Sequence, residues 1–147
     1  DPVQAVVLSV KLPHLEKWHR ARRHNAGLYR EFFDQAGLTD NPVVLPREAY
    51  REVDGAAEVN YHIYNQFVIR VPDRDRLRSF LQENSIGCEI YYPLCLHQQA
   101  CLASLGYDRQ SFPVAEQAAR ETLALPIYPE LEQEQIAYVV DKISEFY

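Results

Sequence analysis

Lysine is scarce in this sequence: Lys11, Lys17 and Lys142 are the only three among 147 residues. Chemistry that needs a side-chain amine as nucleophile or Schiff-base partner therefore has three candidates, and all three fall on predicted helix surfaces. Cations as a group are outnumbered, with 15 Lys and Arg against 21 Asp and Glu and a net charge of −6. Neutralising a polyanion takes a basic face, so nucleic acid is not an expected partner. No stretch approaches the roughly 20 apolar residues that cross a bilayer, and no basic segment leads into an apolar one at the N-terminus. No membrane partner is expected, and a soluble cytoplasmic protein is the default reading. Cysteine is limited to Cys88, Cys95 and Cys101, without the Cys-x-x-Cys spacing of zinc or redox sites, and these are read as free thiols. His14, His19 and His24 are spaced by five, which at 3.6 residues per turn gives no shared face, and no metal site is assigned.

What is present suits one ordinary globular domain. The chain is 47% hydrophobic and 24% charged, and a domain of this size buries roughly 68–70% of its unfolded surface. No internal repeat or low-complexity segment interrupts it. The spacing predicts a helix over Pro2–Leu12 with Val3, Val6, Val7 and Val10 on one face, ended by Pro13. A longer helix follows over His14–Gln35, carrying Leu15, Trp18, Arg22, Ala26, Tyr29 and Phe33, with Gly37 placed to end it. Arg20, Arg22 and Arg23 with His19 and His24 invite a phosphate-binding reading, but at helical spacing they cover more than one side and a solvated face is preferred. From Thr39 to Glu58, Pro42, Pro46 and Gly55 suggest a short extended segment and then a loop.

Residues 61–71 read as a strand in which Phe67, Ile69 and Val71 alternate with Gln66, Val68 and Arg70. Asp73 is placed to cap the next helix, with Leu77, Phe80 and Leu81 on its apolar face and Gly87 beyond its end. Ile90 and its neighbours then give a second strand, making strand–helix–strand. A short helix over Gln98–Leu105 closes at Gly106, Ser111 and Pro113 open another, and Pro126 and Pro129 bracket an extended piece. The last helix stripes Ile136, Val139, Val140, Ile143 and Tyr147, with Glu132 and Glu134 at the positive end of its dipole. The fold class is α+β, a small antiparallel or mixed sheet flanked by helices.

Chemistry-bearing side chains concentrate at Tyr91, Tyr92 and His97, two phenols and an imidazole past a strand end held by Pro93. They can donate hydrogen bonds to hydroxyls or phosphate and offer flat faces for packing. Alternation along the strand also predicts that at least one of the two tyrosines is core. His62 is a further candidate, although a lone histidine ahead of a strand often serves as a structural hydrogen-bonding residue.

Five stretches carry a resemblance. Asp1 to Leu8 resembles a D-x-x-Q-A-A helix motif, and His62 to Val71 (HIYNQFVIRV) resembles H-x-Y-H-Q/L-Y-x-I-R. Gly87 to His97 (GCEIYYPLCLH), Phe112 to Glu116 (FPVAE) and Leu123 to Pro129 (LALPIYP) resemble later motifs of the same set. Together, in this order, they are similar to the C-terminal portion of the DegT/StrS family of pyridoxal phosphate (PLP)-dependent nucleotide-sugar aminotransferases. Asn65 stands where the family usually has His, and Cys95 where it usually has Pro.

The resemblance implies a fold type I aminotransferase, with residues 1–36 leading from a large PLP-binding domain and 37–147 forming the C-terminal small domain. It implies that the Schiff-base lysine, the aspartate facing the pyridine nitrogen and most phosphate contacts lie in that other domain, so no catalytic or cofactor-binding residue is assigned here and no cofactor is expected on these residues alone. It also implies a nucleotide-sugar substrate, an amino-acid donor and a homodimer. Tyr91, Tyr92, His97 and His62 become substrate-binding candidates, His62 near the domain junction. The alternatives are a free-standing small-molecule-binding or regulatory module, and a structural partner that associates through the valine stripe.

Overall fold

The computed structural model describes residues 1–51, 61–107 and 110–147. Among the described residues, five helices and two strands follow the order α1 (Pro2–Lys11), α2 (Leu15–Gln35), β1 (Phe67–Arg70), α3 (Arg74–Glu83), α4 (Pro113–Glu121), β2 (Thr122–Leu125) and α5 (Gln133–Phe146). Short 3₁₀ turns occupy Leu12–His14, Leu96–Gln98 and Ala100–Leu105. The α+β expectation holds, and the sheet is antiparallel.

The sheet is built differently from the expected strand–helix–strand. β1 pairs with β2, Phe67 opposite Leu125 and Arg70 opposite Thr122. The segment around Ile90 contributes a single bridge, Glu89 to Ala124, on the far edge of β2. Val44 bridges Arg70 on the far edge of β1. Four chain segments thus lie side by side, with the short extended segment expected after Thr39 at one edge and the Glu89 segment at the other; the rest of that expected loop, 52–58, lies outside the described residues. β2 escapes a period-two reading because Leu123, Ala124 and Leu125 are all buried. A strand covered on both faces has no polar side to alternate with.

The expected strand over 61–71 is shortened to four residues by a bend. Tyr64 sits at φ +48°, in the left-handed region, and its N–H donates to His62 Nδ1 at 3.0 Å. A non-glycine residue holds that conformation only when its surroundings fix it. Here burial fixes it, since Tyr64 is among the largest fully buried side chains.

Helix ends show where local chemistry decides. Asp1 Oδ1 accepts from the Val3 N–H at 2.9 Å and caps α1. Pro13 divides the opening helices as expected: it stands in the first turn of the 3₁₀ piece that separates α1 from α2, and the backbone keeps helical dihedrals across the break. Gly37, at φ +67°, ends α2: its N–H donates to the Asp34 carbonyl at 2.9 Å, and the Leu38 N–H to Phe33 at 3.0 Å. α3 departs from expectation at both ends. Asp73 occupies the N-cap position at φ +49° without a side-chain cap bond, its carboxylate lying 3.8 Å from the Arg76 guanidinium instead. Ser85, at φ +62°, takes the C-terminal role expected of Gly87. α4 is preceded by Phe112 rather than Ser111, and Glu132 caps α5 through a capping box with Gln135.

The core lies between the sheet, α3, α5 and the second half of α2. Tyr29 stacks on Phe67 with ring centroids 4.8 Å apart. Ile136, Val139, Val140 and Ile143 of α5 are buried as their spacing predicts, whereas Tyr147 at the end of the stripe is 43% exposed. Asn25 and Arg74 are the buried polar residues of the described chain. Arg74 donates to the Thr122 carbonyl at 2.8 Å and to Asp75 at 2.7 Å. α1 buries no residue.

Candidate functional site

The β1–β2 end of the sheet delivers several segments to one surface: the bend at 62–66, the chain leaving β2 at 126–129, and the stretch after Glu89. Their meeting point is Asn65. One groove places it with Gln66, Tyr91, Pro126 and Ile127. A second places it with Trp18, Arg22, Ile63 and Pro129. A third runs along His62, Tyr64 and Gln66.

Both expected tyrosines face outward. Tyr91 is 42% and Tyr92 73% exposed, so the expectation that one is core is corrected. Residue 91 lies past the bridge at Glu89, where no partner strand continues to enforce alternation. Their rings stand edge to face, centroids 5.8 Å apart, and the peptide joining them is cis. Leu94 and Leu96 nearby are also exposed.

His97 is turned into the protein. Its side chain is 9% exposed, and Nε2 lies 3.3 Å from Glu116 Oε1, a contact too poorly aligned to be a hydrogen bond. The ring packs on Phe112 at 4.8 Å. Glu116 also accepts from the Phe112 N–H at 2.7 Å. That hydrogen bond, with a smaller contribution from His97, holds its carboxyl below the usual carboxylate range. His97 therefore ties the stretch after the tyrosines to the start of α4. His62 is likewise engaged, accepting from Tyr64 and packing on the Tyr64 ring at 4.1 Å, while it still borders the groove along Asn65. Tyr91 and Tyr92 are together, His62 is joined to Tyr91 only through grooves that share Asn65 and Gln66, and His97 faces α4.

Beneath this surface, α2 supplies polar supports; spacing places Arg22 and Tyr29 on its inner face, while it does not mark Asn25. Arg22, Asn25 and Tyr29 lie on one helical stripe and donate to three consecutive carbonyls. Arg22 reaches Ile127 at 2.7 Å, Asn25 reaches Tyr128 at 2.8 Å, and Tyr29 reaches Pro126 at 2.9 Å. The same Arg22 nitrogen lies 3.3 Å from the Tyr64 carbonyl. Arg22 is thus turned inward, correcting the solvated-face reading for that residue, while Arg23 and His19 pair with Glu16. Burial and the helix-side location of Asn25 were the available signal: an Asn on the apolar face of a helix needs a partner.

A second support holds the bend. The Tyr64 hydroxyl donates to Glu48, Arg30 donates to the Tyr64 oxygen at 3.3 Å, and Arg30 also donates to the Pro46 carbonyl. Burial, reinforced by the bond to Glu48, pushes the Tyr64 hydroxyl up to about 12.

No lysine lines these grooves. Lys142 Nζ sits 2.7 Å from Glu145, which raises its pKa, and Lys11 and Lys17 are exposed on α1 and α2. An amine held protonated against a carboxylate does not fit the anchoring role that a PLP aldehyde requires. Cys88, Cys95 and Cys101 are free. Among the described residues no cluster of three or more His, Cys, Asp or Glu is arranged to hold a metal, and no helix is long and apolar enough to cross a membrane.

Comparisons with known proteins agree with one another. The model of the DegT/DnrJ/EryC1/StrS aminotransferase family matches residues 1–144. A pleiotropic regulatory protein of Geobacillus stearothermophilus is 48% identical over 147 residues, covering 100% of this chain and 37% of the relative. A UDP-N-acetyl-3-dehydro-alpha-D-glucosamine 3-aminotransferase of Acidithiobacillus ferrooxidans is 35% identical, covering 97% of this chain and 35% of the relative. Among solved structures, DesV of S. venezuelae in complex with a ketimine intermediate superposes with a TM-score of 0.82 at 34% identity, covering 97% of this chain and 35% of that one. The chain therefore spans little more than a third of the length of the relatives it matches.

Proposed function

This chain belongs to the DegT/DnrJ/EryC1/StrS aminotransferase family, and we propose from that premise that it forms the C-terminal part of a PLP-dependent enzyme transferring an amino group from an amino acid to a nucleotide-linked keto-sugar. The observation that carries this reading is the 34% identity and TM-score of 0.82 to DesV over 97% of the chain. Relatives named for amination of UDP- and dTDP-linked sugars support the substrate class.

PLP, when bound, supplies the electron sink for the reaction. The lysines of residues 1–147 do not fit as its anchor, so we assign the anchoring lysine to the remainder of the intact enzyme. This chain's contribution is a substrate-facing surface. Tyr91 and Tyr92 offer phenol donors and ring faces, Asn65 offers an amide where three grooves meet, and His62 and His97 hold the bend and the tyrosine stretch in place.

The test is made in the intact enzyme. Tyr92→Phe should raise KM for the sugar nucleotide and leave the cofactor absorbance and the half-reaction with glutamate intact. Loss of one neutral hydrogen bond costs about 0.5–1.5 kcal/mol, roughly two- to tenfold in affinity. Loss of PLP, or unchanged kinetics toward every sugar nucleotide tried, would refute the assignment. A regulatory reading is favoured by the name of the 48% identical relative; an intact protein that binds a sugar nucleotide but never aminates one would support it.

A further inference from the structure

We infer that Arg22, Asn25 and Tyr29 are positioning residues that set the shape of the substrate surface by holding the backbone beneath it. The inference rests on the reading of that surface as the sugar-nucleotide face.

Three consecutive backbone carbonyls, Pro126, Ile127 and Tyr128, are each received by a side chain of α2 at 2.9, 2.7 and 2.8 Å respectively. β2 ends at Leu125, so no strand ladder is available to order these carbonyls. The segment nevertheless borders the grooves beside Tyr91 and beside Tyr138, and its position sets a wall of each. Arg22 adds a second link, because the nitrogen that holds Ile127 also reaches the Tyr64 carbonyl. Tyr64 immediately precedes Asn65, so one guanidinium fixes both walls of the groove that lies between Asn65 and Ile127. Planar, forked donors suit such bridging, which a single ammonium point charge reproduces poorly.

Residues 22, 25 and 29 recur at helical spacing and share a face, so all three bonds form together once α2 docks. Asn25 is 3% exposed and Tyr29 is fully buried. Partners of buried polar groups are expensive to lose, which makes the register of the 126–128 segment on α2 strongly specified. The Tyr29 hydroxyl is also held far above its ordinary pKa, chiefly by burial, so it stays a donor throughout the working pH range.

The experiment uses two conservative variants of the intact enzyme, Tyr29→Phe and Arg22→Lys. Each should raise KM for the sugar nucleotide roughly two- to tenfold, the effect of one hydrogen bond, with the glutamate half-reaction rate and the cofactor absorbance unchanged. A lowered Tm with unchanged KM would overturn the inference, because the stripe would then only hold the fold together. Asn65→Ala and Tyr92→Phe serve as references. If these too leave KM unchanged, the substrate reading has failed, and the inference is judged on the ¹⁵N-labelled 147-residue chain alone. There Tyr29→Phe must shift the backbone resonances of Asn65, Gln66 and Ile127, and resonances that stay in place would overturn it.

Discussion

Helices α1 and α5 carry the same kind of apolar stripe and meet opposite fates. Val3, Val6, Val7 and Val10 repeat at helical spacing on α1, and every one is 47% exposed or more; Ile136, Val139, Val140 and Ile143 repeat the same way on α5, and none exceeds 4%. The pattern states which side of a helix wants to leave water. It does not state what lies on the other side of that contact. For α5 the partners are within the chain, chiefly α2 and α3. For α1, nothing among the described residues covers the stripe.

The widest separation between the two helices should come from truncation. Ile143→Ala should destabilise the chain by about 2–5 kcal/mol, since it opens a cavity in a packed site. Val6→Ala should change stability by no more than about 0.5 kcal/mol, as for surface positions generally. Urea unfolding of both variants checks the pair, and equal losses would mean that α1 is packed after all.

Association sharpens the same contrast. An uncovered valine stripe is a contact surface, so the 147-residue chain should self-associate as concentration rises. The double variant Val6→Lys, Val10→Glu should suppress this without lowering Tm. Light scattering decides it; a wild-type chain that stays monomeric at high concentration removes the stripe from consideration as an interface.

These two helices also mark how far the sequence could be read. The helices, the Gly37 ending and the α5 stripe follow from periodicity and local chemistry. β2 did not, because Thr122–Leu125 is apolar on both faces and short apolar runs carry no period. The early end of β1 was hidden for another reason: the bend at Tyr64 depends on Glu48, Arg30 and His62, three contacts from distant or irregular chain. Asp73 and Ser85 show the same limit at helix ends, where exposed non-glycine residues take left-handed conformations. Within the candidate site, Tyr91 and Tyr92 were legible as residue types in a motif. The inward turn of His97 and the support from Arg22 and Asn25 are tertiary facts.

A pH series separates the packed body from its surface. Burial raises the folded-state pKa of Tyr64 and of Tyr147 from 10.0 to about 12. Tyr147 additionally donates to the Pro72 carbonyl at 2.6 Å. A raised folded pKa contributes stability that is fully present below the unfolded value and is lost as pH rises through the folded one. Thermal stability should therefore decline from pH 10 to 12. Tyr147→Phe should make that decline shallower, and an unaltered slope would show that the end of α5 does not titrate with unfolding.

The smallest expected effect lies at the other end of the pH scale, where Glu116 joins the exposed tyrosine stretch to α4. Its folded pKa is depressed, first by the Phe112 N–H and then by His97, so its contribution is present above the ordinary carboxylate value of 4.5 and fades as pH falls through the folded value. Glu116 lies at the surface, and water screens most of that contribution. Glu116→Gln keeps an oxygen to accept from Phe112 while removing the charge that faces His97. Near pH 7 the variant should therefore melt close to wild type, and below pH 4.5 its Tm should fall less steeply as acid is added. Because the substitution spares the hydrogen bond and deletes only the titration, parallel Tm curves for the two proteins from pH 5 down to pH 3 would show that protonation of Glu116 is not linked to unfolding.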